Sequence, residues 1–298
     1  MFKLAKPFFL KVETPLHAGS GSDLGVVDLP IQREKHTDFP KIESSSLKGS
    51  IREVFEEKYK DSEQIIDLIF GPESGDEHAG ALGFTDARIL LFPVRSLRGI
   101  FAWITCPAVV KRFISDLKLC CINDIQYANK AKKITESSKL VVGDSNIVLE
   151  EYTFSVEKDK NLSELAKWLS ENALPDDTDN YWKEKVKDDI VLLDDDEFRD
   201  FVTLSTEVIA RTKIDNEKGT VKEGALFYEE YLPSETILYS LALASPIFSD
   251  DKASFKNGGK EEEKVMEFFA KGIPNVIQIG GNATIGKGIV RIKVDKEG

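Results

Sequence analysis

The sequence predicts an α+β fold on three observations. Short apolar runs of strand length lie near both ends, stretches between them carry apolar residues at helical spacing, and the order strand, helix, strands, helix, strands recurs along the chain. Helices on one face of a largely antiparallel sheet satisfy that order, which is the ferredoxin-like (RRM-like) layout. A chain of 298 residues with 41% hydrophobic side chains can bury the core of one large domain or two small ones.

The first strand is read at Phe8–Glu13, where apolar positions run together and then alternate. Gly19, Gly21, Gly25, Pro30 and Pro40 punctuate a stretch of about 25 residues without periodicity, far longer than the ordinary connection of about 4–6 residues, and long ordered loops tend to be functional. From a cap at Ser45 or Ser46, Leu47, Ile51, Val54 and Phe55 recur at helical spacing. A second helix covers Ser62 to Phe70 and stops at Gly71-Pro72. Gly80 to Phe92 then reads as strands around a turn, and Phe101 to Thr105 as another strand. Pro107 opens a helix marked by Val110, Phe113, Ile114 and Leu117. A helix around Leu165–Leu169 precedes an acidic stretch, and Thr236 to Ala244 is a strand. The last elements are a helix from Glu261 to Ala270, closed by Gly272 and Pro274, and strands at Val276–Ile279 and Ile289–Val294.

The net charge of −12 argues at first against nucleic acid, because an RNA binder normally carries a basic footprint. The acidity is local: residues 151–200 hold 16 Asp/Glu against 7 Lys/Arg, a net of −9, so the rest of the chain is close to balanced. The run Asp194-Asp195-Asp196-Glu197 suits a solvated face, and the whole of 155–200 suits a surface insertion. No apolar run approaches the roughly 20 residues that cross a bilayer, and Met1 leads into a mixed Lys/Phe segment without a secretory pattern, so the expectation is a cytoplasmic protein with no membrane partner. Cys106, Cys120 and Cys121 form neither a disulfide framework nor a zinc knuckle.

Two segments carry anion-binding chemistry. Ser44 to Arg52 places Ser45, Ser46, Lys48, Gly49 and Arg52 at the start of the first helix, where free N–H groups and the helix dipole favour phosphate. Gly281 to Gly288 matches G-x-x-x-x-G-K, with Gly281, Asn282, Gly286 and Lys287 available to a phosphate. Gly288 stands where Ser or Thr should hold magnesium, and the segment leads into a strand, so an NTPase fails.

Taken together, ordered blocks spanning almost the whole chain resemble the repeated backbone subunits of the type III-B CRISPR effector, the Cmr complex, within the RAMP superfamily. The blocks are Gly19 to Arg33 with Phe39-Pro40; Ser46 to Arg52; Phe70-Gly71-Pro72 through Gly80 to Asp86-Ala87; Leu91 to Ser96; Arg211 to Asp215 with Gly219; Gly224 to Leu232-Pro233; and Gly280 to Gly288. The resemblance implies one RAMP domain over residues 1–298: an RRM-like palm with helical insertions, a catalytic loop at about 15–44, the acidic insertion at 155–200 and a thumb hairpin at 212–224 marked by Lys213, Gly219 and Lys222. It implies copies stacked in a filament along a CRISPR guide RNA with other Cmr subunits, and cleavage of complementary target RNA at regular intervals. The cleavage-associated aspartate of the Gly-Val-Val-Asp motif falls on Asp28, which would be both catalytic and the ligand of a divalent metal such as magnesium. The histidine of Thr-Pro-x-His falls on His17, and the Glu-Glu-Tyr-Leu-Pro motif supplies Glu229 and Tyr231 as further catalytic candidates.

RNA carries its own nucleophile, the 2′-hydroxyl, and needs mainly in-line geometry, charge neutralisation and a proton acceptor, so one well-placed carboxylate suffices. Two alternatives belong to the same superfamily. One is a non-catalytic RNA-binding scaffold, from which Asp28 discriminates; the other is a guide-RNA processing endonuclease with a histidine-centred site, for which His17, His36 and His78 are available.

Overall fold

Neighbouring phenylalanines at the centre of the first strand set the layering. The computed structural model describes residues 2–74, 78–214, 218–221, 225–250, 252, 255 and 259–296. In β1 (Leu4–Val12), Phe8 meets Phe84 and Phe269 edge-on at 5.7 and 5.5 Å, while Phe9 meets Phe113 and Trp168 at 6.0 and 6.1 Å. Successive side chains of a strand point to opposite faces, so both faces of the sheet at β1 are covered.

The chain continues through β2 (Lys41–Ile42), α1 (Ser44–Lys58), α2 (Glu63–Phe70), β3 (Leu82–Phe84), β4 (Ala87–Arg95), β5 (Phe101–Thr105) and α3 (Pro107–Leu119). Then follow β6 (Lys133–Ile134), β7 (Asn146–Leu149), β8 (Tyr152–Ser155), β9 (Glu157–Lys158), α4 (Lys160–Asn172), α5 (Asn180–Asp188), β10 (Ile190–Leu192) and α6 (Asp195–Leu204). The last part holds β11 (Glu207–Arg211), β12 (Phe227–Tyr231), β13 (Ile237–Ala244), α7 (Glu261–Gly272), β14 (Val276–Gln278) and β15 (Ile289–Val294). Among the described residues the main sheet has the order β14-β15-β1-β13-β4-β5-β10-β6-β9, with β2 beside β4 and β3 beside β13. From β14 to β5 all neighbours are antiparallel; β10 joins β5 in parallel, as β9 joins β6.

Phe269 of α7 covers the Phe8 face, and α1 lies against α7: Phe55 meets Phe268 at 5.4 Å, and a Cβ at Gly272 would sit 2.4 Å from the Phe55 ring. Only glycine permits that approach. α3 and α4 cover the Phe9 face through Phe113 and Trp168, which are 5.8 Å apart. The expected helices on one face are therefore helices on two. Phe8, Phe9 and Leu10 are all almost fully buried, and a run without polar alternation marks a strand covered on both sides.

The expected surface insertion over 155–200 also gives way. This segment supplies β10 to the sheet, with Ile190, Val191 and Leu192 fully buried, and Leu162, Leu165, Leu169 and Phe198 to the core. Its carboxylates stay outside and do local work. Asp194 and Glu197 form a reciprocal cap on α6, Asp195 accepts the Ala108 N–H at the start of α3 (2.9 Å), and Asp177 pairs with Arg291 at 2.7 Å.

Phe113 is fully buried with Phe9, Trp168 and Tyr239 around it, so Phe113→Ala should lower unfolding free energy by roughly 3–5 kcal/mol. Urea denaturation followed by tryptophan fluorescence measures this, and an effect below about 1 kcal/mol would show that the second helical layer is not part of the cooperative core.

Candidate functional site

β12 is the strand on which the long loop after β1 is laid. The Tyr228 N–H donates to the Asp28 carboxylate (Oδ2, 2.7 Å), the Leu29 N–H to the Tyr228 carbonyl (3.0 Å), and the Glu230 N–H to the Leu29 carbonyl (3.0 Å). Leu16 and Leu232 exchange backbone hydrogen bonds at 2.9 and 2.8 Å, which fixes the other end of the loop. Because side chains alternate along β12, adjacent glutamates face different partners. Glu230 turns toward Ile31 and Arg33, whereas Glu229 turns toward His17 and the glycine loop.

Around Glu229 lies a closed polar network. Tyr231 Oη donates to Glu229 Oε2 (2.5 Å), Asn282 Nδ2 donates to Glu229 Oε1 (2.6 Å), and Arg211 Nε donates to Glu229 Oε2 (2.6 Å). Asn282 and Arg211 also donate to the Tyr231 oxygen, the former at 3.1 Å. His17 Nδ1 donates to the Glu230 carbonyl at 2.7 Å, leaving Nε2 3.6 Å from Glu229 Oε1. Glu229 and Tyr231 are 4% and 0% exposed, so neither meets solvent: both hold neighbouring parts together. Asp28, by contrast, lies in a half-exposed loop.

Burial works against the charged form of Glu229, but the hydrogen bonds from Tyr231 and Asn282, the adjacent His17 and the Arg211 contact outweigh it and hold the carboxyl below its usual range. Burial and the same carboxylate push the Tyr231 hydroxyl up.

The glycine loop is fastened to His17. The Gly281 N–H donates to the His17 carbonyl (2.9 Å), and a Cβ at Gly280, where φ is 81°, would lie 2.2 Å from that oxygen. Asn282 stands between, in left-handed backbone, with its side chain on Glu229. Gly281 and Gly286 are exposed, and Lys287 extends its ammonium over the Tyr231 ring at 5.0 Å. A 3₁₀ turn (Ala283–Ile285) leads from here to β15, so a strand follows this loop where an NTPase loop leads into a helix.

At α1 the serines are not the cap. Glu43 occupies that position; its N–H is taken by Gln32 Oε1 (2.7 Å) and the Ser44 N–H by Asp86 Oδ1 (2.9 Å). Gln32 Nε2 reaches the Gly19 carbonyl (3.1 Å) and Ser46 Oγ (3.3 Å), tying the helix start to the His17 segment. The Ser45 and Ser46 amides have no protein acceptor among the described residues, and Gly49 has open space where a Cβ would be. Lys48 makes no ion pair among the described residues; burial and the charge of Arg52 pull it below its usual value. Arg52 is engaged within the protein. It donates to Glu56 (2.5 Å), the Gly71 carbonyl (2.5 Å) and Asp67 (3.4 Å), which fastens α1 to α2.

The profile of the RAMP superfamily matches residues 9–291. The chain belongs to the RAMP superfamily. It is 42% identical over 285 residues to the CRISPR system Cmr endoribonuclease Cmr4 of Pyrococcus furiosus, covering 94% of this chain and 92% of that one. It is 27% identical to the CRISPR system CMR subunit Cmr4 of Saccharolobus solfataricus, covering 98% and 97%. Among solved structures, oligomeric Cmr4 from Pyrococcus furiosus superposes with a TM-score of 0.74 at 34% identity over 98% of both chains. A chain of the type III-B Cmr-beta complex bound to cognate target RNA shares the fold at 23% identity, with a TM-score of 0.74 over 98% of both.

In this RAMP chain β11 and β12 pair as the base of a hairpin, and the segment expected as a thumb lies between them in sequence. Ile214 and Val221 form a bridge beyond it, and Gly219 (φ 64°) turns the chain; Lys213 is exposed, and Lys222 lies outside the described residues. Val208, Ile214, Val221, Leu226 and Tyr228 expose apolar surface along this hairpin. Among the described residues no three His, Cys, Asp or Glu side chains are placed to hold a metal, so Asp28 offers a single carboxylate, and no helix is long and apolar enough to cross a membrane. Residue reading missed Gln32, Arg33, Arg211 and Glu230, which act through contacts between segments far apart in sequence; the alternation Glu229-Glu230 inside a strand was the one local signal.

Glu229 is lowered relative to an unfolded carboxylate, so its contribution to stability is present above the ordinary value and is lost as pH falls through the lower folded value. Glu229→Gln should therefore lose less stability than the parent between about pH 5 and pH 3. Denaturant midpoints measured across that window test it; parallel acid limbs would contradict it.

Proposed function

We propose that the chain is the repeated backbone subunit of a type III-B CRISPR effector, binding guide RNA and acting within the complex as a metal-dependent endoribonuclease on complementary target RNA. The observation that carries this reading is the placement of the Asp28 carboxylate on Tyr228, at the base of an exposed, apolar hairpin. The relatives named as Cmr4 support the assembly: guide and target RNA, other Cmr subunits, and further copies of this chain in a filament. The strand order β15-β1-β13-β4, all antiparallel with α1 and α7 as crossovers, supports a ferredoxin-like palm. A cytoplasmic location belongs to the same reading.

The guide lies along the Ser45 and Ser46 amides, Lys48, Gly49 and the loop containing Gly281, Asn282, Gly286 and Lys287. These groups recognise backbone phosphate and so tolerate any guide sequence. The hairpin bearing Ile214 and Val221 wedges into the guide–target duplex and splays a nucleotide, freeing the adjacent phosphate to reach in-line geometry with its 2′-hydroxyl. Asp28 has one oxygen on the Tyr228 N–H and a second for the reaction, as proton acceptor or metal ligand. Magnesium is commonly held by one or two carboxylates together with substrate phosphates, and a lone Asp28 beside RNA fits that pattern. The ion would neutralise charge developing on the phosphate. His17, Glu229 and Tyr231 position the loops around Asp28. A guide-processing site centred on His17 is disfavoured because the nitrogen left over from the Glu230 carbonyl, Nε2, faces the buried Glu229 carboxylate at 3.6 Å on a side chain only 11% exposed.

Asp28→Asn keeps an oxygen for the Tyr228 N–H and removes the charge. In a complex assembled with guide RNA, complementary RNA and magnesium, the parent should cut at regular intervals. Asp28→Asn should keep target bound while cleavage falls on the order of 10²-fold or more, and Asp23→Asn should behave like the parent. Normal cutting by Asp28→Asn would leave Asp28 as a turn residue and the chain as a scaffold.

A further inference from the structure

We infer that Glu230 is a positioning residue that sets the register of Asp28 against the β11–β12 hairpin, an inference that rests on the proposed cleavage role of Asp28. Every polar group of Glu230 is engaged with the loop or its support. Its N–H donates to the Leu29 carbonyl (3.0 Å), and its own carbonyl accepts from His17 Nδ1 (2.7 Å). One carboxylate oxygen takes the Ile31 N–H (3.0 Å); the other takes Arg33 Nη2 (2.5 Å) and Thr206 Oγ1 (2.8 Å). Arg33 in turn donates to the Asp38 carbonyl (2.8 Å) and to the Val202 carbonyl at the end of α6 (3.0 Å). One residue, 5% exposed, thus clamps the loop on both sides of Asp28 and braces it against α6 and the start of β11.

The sequence position explains why this governs Asp28 more than stability in general. Leu29 and Ile31 flank β12 in register, and Asp28 is the next residue toward the exposed tip that carries Leu24 and Val26. Tyr228, which holds the Asp28 side chain, belongs to the same strand as Glu230 and to the base of the wedge. A slip of the 29–33 segment along β12 would move Asp28 relative to the splayed nucleotide, and displacements of about 1 Å at a reacting group can reduce rate by about 10²-fold. A carboxylate has two oxygens that both accept; a glutamine amide has one, so Glu230→Gln must turn an NH₂ toward either Ile31 N–H or the Arg33–Thr206 pair.

In the fully assembled complex, Glu230→Gln should bind guide and target as the parent does, cut at least tenfold more slowly and spread its cuts over neighbouring positions. Arg33→Lys keeps the charge but cannot reach Glu230 and both carbonyls with one fork, so it should show the same spreading to a smaller degree and gives the test a variant with the carboxylate intact. The spread of cut positions is the readout that a merely structural residue would not move. Sharp cuts at the parent positions in either folded variant, or a uniform loss that tracks loss of bound guide, would overturn the assignment. The two failures are distinct: Glu230→Gln cutting like the parent removes this role and leaves the endonuclease reading standing, whereas Asp28→Asn cutting like the parent removes the reading itself.

Discussion

One strand, β12, holds the site together because its two adjacent glutamates point opposite ways. Glu229 closes a network with Tyr231, Asn282, Arg211 and His17; Glu230 closes another with Ile31, Arg33 and Thr206. Two buried carboxylates side by side would be severely destabilising without partners. Each is fully supplied with donors, and those donors come from the loop after β1, from the β11 strand and from the glycine loop before β15. Satisfying the glutamates therefore assembles three segments that are far apart in sequence.

This arrangement divides the work. Groups that look chemically active in sequence, Glu229 and Tyr231, are buried and hold geometry, while Asp28 remains half-exposed, with one oxygen on the Tyr228 N–H and no partner for the other among the described residues. The groups proposed to face the guide are tied to the same long loop: Gln32 joins the start of α1 to Gly19, and His17 joins that segment to Gly281. The overall acidity of the chain does not oppose this. Its carboxylates over 155–200 cap α6 and α3 and pair with the Arg291 side of the sheet, whereas Lys48 lies near the start of α1 and Lys287 in the glycine loop, the two places proposed to face the guide.

Much of the architecture was legible from local pattern. Pro107 at the start of α3, the helical stripe Leu47, Ile51 and Phe55, and the terminal strands all read directly, because each depends on periodicity and caps within one segment. β10 was hidden because its three apolar residues are flanked by Asp188, Asp189 and the Asp194 run, so composition masked a buried strand. The structural work of Arg52 was hidden for a related reason: a basic residue beside a helix start resembles an anion ligand, and its contacts with Glu56, Asp67 and the Gly71 carbonyl join segments that sequence alone does not bring together. Family motifs led to Asp28, His17, Glu229 and Tyr231, but their division into one half-exposed carboxylate and a buried support came only from three-dimensional contacts.

β12 fixes the segment carrying Asp28 before any RNA is bound. Amide hydrogen exchange on the free chain tests it most directly, because the Leu29 N–H is donated to the Tyr228 carbonyl and the Ile31 N–H to the Glu230 carboxylate. Both should exchange slowly, in step with the amides of β12, while the Val26 amide exchanges freely at the exposed tip of the same loop. Exchange of Leu29 and Ile31 as fast as Val26 would contradict it, since the loop would then be placed by RNA or by a partner and not by the strand.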